Sequence, residues 1–166
     1  GATQLRKVAV DSDPVEIRRV VERAAADQAL AARARGLSFD TEIEDVMLAA
    51  DPEKLRVVLD NLVSNAVKFS PERESVRIVA RLDGDALELD VIDQGQGIPP
   101  AERLRIFDPF YQGSHAGAGP VRGTGIGLSV VKEYVFAHGG SVGVLESRRG
   151  AHFRVRLPLE QSGAAI

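Results

Sequence analysis

Twelve of the 16 glycines fall between Gly95 and Gly150, and only Gly1, Gly36 and Gly84 precede them. Glycine has no Cβ, so it turns through positive φ and lets another group approach the backbone closely. Collagen-like or linker chemistry would need a strict repeat or serine-rich monotony, and the sequence has neither. Glycine gathered in the second half of a compact chain points to backbone brought close to something.

Composition narrows what that something can be. A chain of 166 residues with 44% apolar and 27% charged residues is expected to be one folded domain, neither disordered nor fibrous. The balance of 21 basic against 24 acidic residues gives a net charge of -3. Duplex nucleic acid and anionic membrane surfaces both select basic excess, so neither is an expected partner. The absence of cysteine removes disulfides, thiolate metal sites and cysteine nucleophiles together. No apolar run reaches the length of a bilayer, and no signal peptide is visible. The three histidines, His115, His138 and His152, never share a helical turn, which argues against a histidine metal site.

The periodicity predicts helices interleaved with hairpins. Asp13-Pro14 reads as a cap with proline at the first helical position, opening a helix with Ile17, Val20, Val21 and Ala24 as its stripe and Gly36 as its stop. Strands are expected at 37–42 and 46–49. A second helix opens at Asp51-Pro52 and runs to Phe69, with Leu55, Leu59, Leu62, Ala66 and Phe69 on one face. Strands with Val76, Ile78, Ala80 and Leu82, then Leu87, Leu89 and Val91, flank a turn at Asp83-Gly84. The pattern breaks from Pro99 to Thr124, apart from a short helical turn at 102–107. A third helix covers 126–137 and ends at Gly139-Gly140, and two strands at 142–145 and 152–157 close the fold. This arrangement predicts an α/β (α+β) two-layer sandwich, with one face of a mixed, mostly antiparallel sheet covered by about three helices. Residues 1–12 read as a cloning remnant or linker, 13–158 as the domain, and 159–166 as a disordered tail.

Three segments carry chemistry. Asn61, Asn65 and Lys68 fall within a roughly 60° stripe bordering the apolar face of the second helix. An amide oxygen is a neutral hard ligand suited to Mg²⁺, and a lysine one turn away suits phosphate; the same residues can equally be structural. Asp93 shares strand phase with Leu87, Leu89 and Val91, so its carboxylate points inward. Gly95 and Gly97 follow it and would let a flat ligand reach the backbone, while an aspartate capping its own turn is the plainer alternative. Gly123-Thr124-Gly125-Ile126-Gly127-Leu128 leads into a helix N-terminus, which suits phosphate, a flexible hinge being the alternative. It is neither a dinucleotide fingerprint nor a P-loop, because the glycine spacing differs and no Gly-Lys pair occurs.

Their order and wording carry a resemblance. Asn61-Leu62-Val63-Ser64-Asn65-Ala66-Val67-Lys68-Phe69 resembles the N box of sensor histidine kinases. Asp93-Gln94-Gly95-Gln96-Gly97-Ile98 resembles their first glycine box, Phe107-Asp108-Pro109-Phe110-Tyr111 the F box, and the segment from Gly123 to Leu128 the second glycine box. Gly150-Ala151-His152-Phe153, closing on Leu157-Pro158, is similar to the terminal strand signature. The match is dense from Asp51 to Pro158 and looser over the helix at Pro14.

The resemblance implies a Bergerat ATP-binding fold that takes ATP and Mg²⁺. It implies that Asn65 coordinates Mg²⁺, with Asn61 beside the phosphates and Lys68 touching them. Phe69 stands near the ribose, where many relatives carry tyrosine. Asp93 is implied as acceptor of the adenine amino group, with Gly95, Gly97 and Ile98 shaping that wall. Gly123, Thr124, Gly125, Gly127 and Leu128 would cradle the triphosphate, and 99–124 would be a lid anchored by Phe107 and Phe110. The implied function is the catalytic domain of a two-component kinase, transferring the γ-phosphoryl group to a histidine on a separate dimerisation and phosphoacceptor domain, with a response regulator downstream. None of the three histidines has the acceptor's surrounding sequence, so self-phosphorylation is not expected. An isolated monomer, a homodimeric parent, a cytoplasmic location below an inner-membrane sensor and no direct membrane contact complete these expectations. A nucleotide-binding regulatory domain without phosphotransfer is the alternative. A gyrase-like ATPase is disfavoured, because such relatives carry glutamate where Asn61 stands.

Overall fold

The computed structural model describes residues 9–109, 111 and 127–160. Strand β1 (Asp13–Glu16) leads into helices α1 (Ile17–Asp27) and α2 (Ala29–Ala34), then strands β2 (Ser38–Ile43) and β3 (Met47–Ala50). Helix α3 (Pro52–Phe69) is followed by β4 (Ser75–Asp83) and β5 (Ala86–Ile92), two short 3-10 turns, helix α4 (Gly127–Ala137), β6 (Ser141–Leu145) and β7 (His152–Pro158). The main sheet has the order β2-β4-β5-β7-β6, with β2 and β4 parallel and the other pairs antiparallel. The two-layer mixed sandwich expected from the sequence is thus the architecture found.

The core lies between one sheet face and α1, α3 and α4. Cross-strand register stacks Ile78, Val91 and Phe153 in one row and Ala80, Leu89 and Val155 in the next, all buried. Leu55, Val58, Leu59, Leu62, Val63 and Ala66 of α3 press onto those rows. Each large aliphatic side chain removed from water this way contributes about 1.5–3 kcal/mol. Asp51 caps α3 as expected, its Oδ1 accepting from the N–H of Glu53 (3.1 Å) and Lys54 (3.2 Å).

Four expectations need correction. Asp13-Pro14 opens strand β1 instead of a helix, because residues 13–16 pair antiparallel with 47–50 and the Ile17 N–H donates to the Val46 carbonyl at 3.0 Å. The first helix is broken at Gln28 into α1 and α2, and the predicted turn at 102–107 is two 3-10 turns, Pro100–Glu102 and Arg105–Phe107. Leu159 is fixed, donating to the Asp85 carbonyl (3.0 Å) and accepting from the Ala49 N–H (3.2 Å). A free tail therefore does not begin there.

The outer sheet face holds charge. Glu88 and Asp90, polar positions by alternation, are 3% and 6% exposed, because long side chains of β4 and β7 lie over them. Arg154 grips Asp90 with both arms of its guanidinium (2.9 and 2.8 Å), and His152 Nε2 stands 2.8 Å from Asp90 Oδ2. Burial opposes ionisation of Asp90, yet hydrogen bonds from His152 and Arg154 and the arginine charge hold its pKa down to about 2.

Candidate functional site

Helix α3 is the spine of the site. Asn61 and Asn65 are half-buried on it and Lys68 is exposed in its last turn. The Asn61 Nδ2 donates to the Val57 carbonyl at 2.8 Å, and its Oδ1 lies against the start of α4: a Cβ on Gly127 would sit 2.5 Å from it. One turn on, the Asn65 side chain has no hydrogen-bond partner among the described residues, and Lys68 has no carboxylate within salt-bridge distance among them. Among the described residues, an amide and an ammonium without partners thus stand one turn apart on the same helix.

The Asp93 turn meets the other end of α3. Asp93 is 4% exposed, and its Oδ1 accepts from two amides, Gly95 N–H (2.9 Å) and Ala151 N–H (3.1 Å). The first bond is the turn-capping geometry weighed from the sequence. The second ties the carboxylate to the start of β7 and fixes its orientation. A Cβ on Gly95 would lie 2.2 Å from the Phe69 carbonyl oxygen, and Gln94 N–H donates to the buried Ser70 hydroxyl at 3.3 Å. The contacts at Asn61 and Phe69 are eight residues apart, about 12 Å along the helix axis. That span separates an amide-lined end beside α4 from a carboxylate-bearing end.

The glycines also serve the fold. In the direction a side chain would take, protein stands close: Phe69 O beside Gly95, and Gly150 O 3.0 Å from a Cβ on Gly97. Gly97 also holds φ at +81°. Ile98, 9% exposed, joins the core, as does the half-buried Leu128 of α4. Phe107 packs edge-on against Phe153, ring centres 6.2 Å apart, so the start of the 99–124 segment is pinned to the sheet. Phe110, Gly123, Thr124, Gly125 and His115 lie outside the described residues.

Four positioning contacts had no local signal. The Arg35 guanidinium donates to the Val67, Lys68 and Ser70 carbonyls, closing the C-terminal turn of α3. Ser70 is fully buried and holds the Asp93 turn from below. Gly150, at φ +78°, would place a Cβ 1.9 Å from the Asp93 carbonyl oxygen. His138 is 3% exposed: its Nε2 accepts from Asp51 N–H (3.0 Å) and its Nδ1 donates to the Tyr134 carbonyl (2.8 Å), so the neutral ring locks the end of α4 to the cap of α3. Asp51 beside it is held below the usual carboxylate range: burial pushes its pKa up, but amides of Asp11 and Lys54 and the Lys54 ammonium outweigh that.

No cluster of three or more histidine or acidic side chains that could hold a metal exists among the described residues. Mg²⁺ keeps most of its waters and takes the rest of its shell from phosphate, so one neutral amide such as Asn65 fits an ion that arrives with a polyphosphate.

Comparison with known proteins agrees with this geometry. Residues 50–161 match the family described as histidine kinase-, DNA gyrase B-, and HSP90-like ATPase. The sensor histidine kinase QseE of Escherichia coli O157:H7 is 38% identical over 151 residues, covering 90% of this chain and 32% of that protein. This chain therefore spans about a third of the relative's length. The crystal structure of full-length ShkA in complex with AMPPNP superposes with a TM-score of 0.81 at 30% identity, covering 95% of this chain and 33% of the other. The mycobacterial sensor histidine kinase MprB superposes with a TM-score of 0.77 at 29% identity, covering 89% of this chain and 97% of the other.

Proposed function

This chain belongs to the histidine kinase-, DNA gyrase B-, and HSP90-like ATPase family, and from that premise we propose that it is the ATP-binding catalytic domain of a sensor histidine kinase. It passes the γ-phosphoryl group of ATP to a histidine on a separate dimerisation and phosphoacceptor domain. The observation that carries this reading is the placement of α3, with Asn61 against the start of α4 and Phe69 against the Asp93 turn.

In this reading Asp93 accepts from the adenine amino group, its carboxylate already oriented by Gly95 and Ala151. Phe69, Gly95, Gly97 and Ile98 bound that end. Lys68 and the backbone amides from Gly123 to Leu128 meet the phosphates, since a helix N-terminus presents unpaired N–H groups. Phe110 closes the apolar anchor of the lid. Asn65 would hold Mg²⁺, which would supply charge neutralisation at the phosphates. Positioning and electrostatics then do most of the work of phosphoryl transfer. Asn61 selects the acceptor: an amide has no usable basicity, and a neutral imidazole attacks with a nitrogen lone pair that carries no proton, whereas attacking water must give up a proton to a base. A response regulator would draw the phosphoryl group from that histidine, and the parent protein would be a homodimeric inner-membrane sensor with this domain on the cytoplasmic side. No helix among the described residues is long and apolar enough to cross a membrane.

The test mixes this chain with a phosphoacceptor hairpin of a sensor histidine kinase and γ-labelled Mg-ATP. Label is expected on the hairpin histidine and not on this chain, with Asn65→Ala inactive and phosphate release by the chain alone very slow. Rapid multiple-turnover release, or label on this chain, overturns the reading. ATP binding with no transfer to the hairpin would make it a regulatory nucleotide sensor.

A further inference from the structure

A second cavity, of about 320 Å³, is bordered by Gln96, Gly97, Ile98 and Gly150 next to the Asp93 turn. It lies at the small end of the range typical of ligand pockets, about 300–1,000 Å³. Its walls are residues 96–100 with Arg103 on one side, and on the other Val144 and Leu145 at the end of β6 with residues 147–150 of the turn before β7, the intervening Glu146 lying outside the lining. No residue of α3 or α4 lines it, so it is separate from the site above and shares only the Gly97-Ile98 wall with it.

The chemistry of the walls is one-sided. Three arginines, Arg103, Arg148 and Arg149, line the cavity, and no acidic residue does. Arg148 is exposed and has no partner among the described residues. Arg149 is joined at 2.8 Å to Glu74, which lies outside the lining, and an exposed pair of that kind is weak enough to be exchanged for a better anion. Arg103 donates through Nε to the Ile98 carbonyl at 3.3 Å, which restrains its guanidinium at the mouth. Ile98, Pro99, Val144 and Leu145 add aliphatic groups to the same lining. Guanidinium forks match carboxylate and phosphate oxygens two at a time, and the aliphatic wall suits an apolar body.

We propose that this cavity is a binding site for a small organic anion, a phosphate or carboxylate carried on an apolar body. Its ligand rests against Gly97 and Ile98, so occupancy bears on the same turn that Asp93 and Gly150 hold together.

The test titrates the ¹⁵N-labelled chain with phenyl phosphate, benzoate and inorganic phosphate, reading amide shifts. Phenyl phosphate or benzoate is expected to saturate shifts at Val144, Leu145, Ser147 and Gly150 with a Kd of about 1 mM or tighter. Which of the two binds more tightly identifies the anionic group. Inorganic phosphate, lacking the apolar body, is expected to bind about tenfold more weakly. Arg148→Gln and Arg103→Gln should each weaken phenyl phosphate about tenfold while the melting temperature stays put. Lys68→Ala, in the other site, should leave it unchanged. Shifts confined to Asn65 and Lys68, absence of saturation with both organic anions, or equal binding by inorganic phosphate would each overturn the proposal. So would indifference to both arginine substitutions.

Discussion

Replacing Asp93 by asparagine tests the proposed adenine contact with almost no change of shape. The parent carboxylate gives one oxygen to Gly95 N–H at 2.9 Å and Ala151 N–H at 3.1 Å. An asparagine oriented the same way keeps an oxygen there, so both bonds survive but lose charge assistance. That loss costs about 1–2 kcal/mol of stability. For a chain of this size it lowers the melting temperature by about 3–8 °C. The fold therefore survives. At the other branch an NH₂ group replaces an acceptor and faces the adenine amino group donor to donor. Losing a hydrogen bond to a charged acceptor and leaving a buried donor unpaired removes roughly 3–4 kcal/mol of binding, about 100- to 1,000-fold in Kd. Inosine triphosphate offers a carbonyl where ATP has the amine, so the new amide can donate to it. Isothermal titration of both nucleotides against both proteins is the assay. The parent should favour ATP, and Asp93→Asn should favour the inosine nucleotide. If the variant is folded and binds ATP within about threefold of the parent, the assignment of Asp93 to the amino group is wrong.

Three other substitutions probe the scaffold. Gly150→Ala combines φ of +78° with a Cβ 1.9 Å from the Asp93 carbonyl oxygen, and chemical denaturation should show at least about 2 kcal/mol of lost stability; a loss under about 0.5 kcal/mol would contradict the packing described. Arg35→Ala removes the cation that closes the end of α3, at a cost of about 1–2 kcal/mol, and hydrogen exchange should show the Lys68–Ser70 amides opening while the middle of α3 stays protected. Asp90 has its folded pKa lowered from 3.8 to about 2, so its contribution is fully present above its unfolded pKa and is lost as pH falls through the folded value. That contribution is about 2 kcal/mol, and Asp90→Asn should flatten stability against pH between about 4 and 2; an unchanged acid limb would rule it out.

What the sequence could reveal depended on how far apart the partners lie. Asp51-Pro52 and Asp13-Pro14 carry the same helix-start signature, and only the first caps a helix. The second is captured by β3, whose pairing partners lie over thirty residues ahead and leave no mark in the local window. The stripe of Asn61, Asn65 and Lys68 was readable because a helix fixes their spacing. The inward aim of Asp93 followed from strand phase in the same way. Burial of Glu88 and Asp90 was not readable, since alternation gives their face but the arginines that cover them come from β4 and from β7, over sixty residues later. Arg35 was invisible for the same reason, 32 residues from the first carbonyl it caps.

The glycines show why this distinction matters for interpreting mutants. Their concentration after position 95 signals close approach, and the sequence leaves open whether ligand or protein does the approaching. At Gly95 the approaching atom is the Phe69 oxygen, at Gly97 the Gly150 oxygen, at Gly150 the Asp93 oxygen and at Gly140 the Arg156 oxygen. These are backbone atoms in the packed interior, so none can swing aside for a methyl group. Alanine at Gly95 would therefore separate the Asp93 turn from α3 before any nucleotide arrived. Lost activity in such a variant would report a displaced wall, not a lost ligand contact. Gly127 differs, because its neighbour is the end of the Asn61 side chain. Asn61 can rotate away from a methyl group there only by giving up its bond to Val57. An alanine at that position would thus retain the fold while turning the one amide that faces the start of α4.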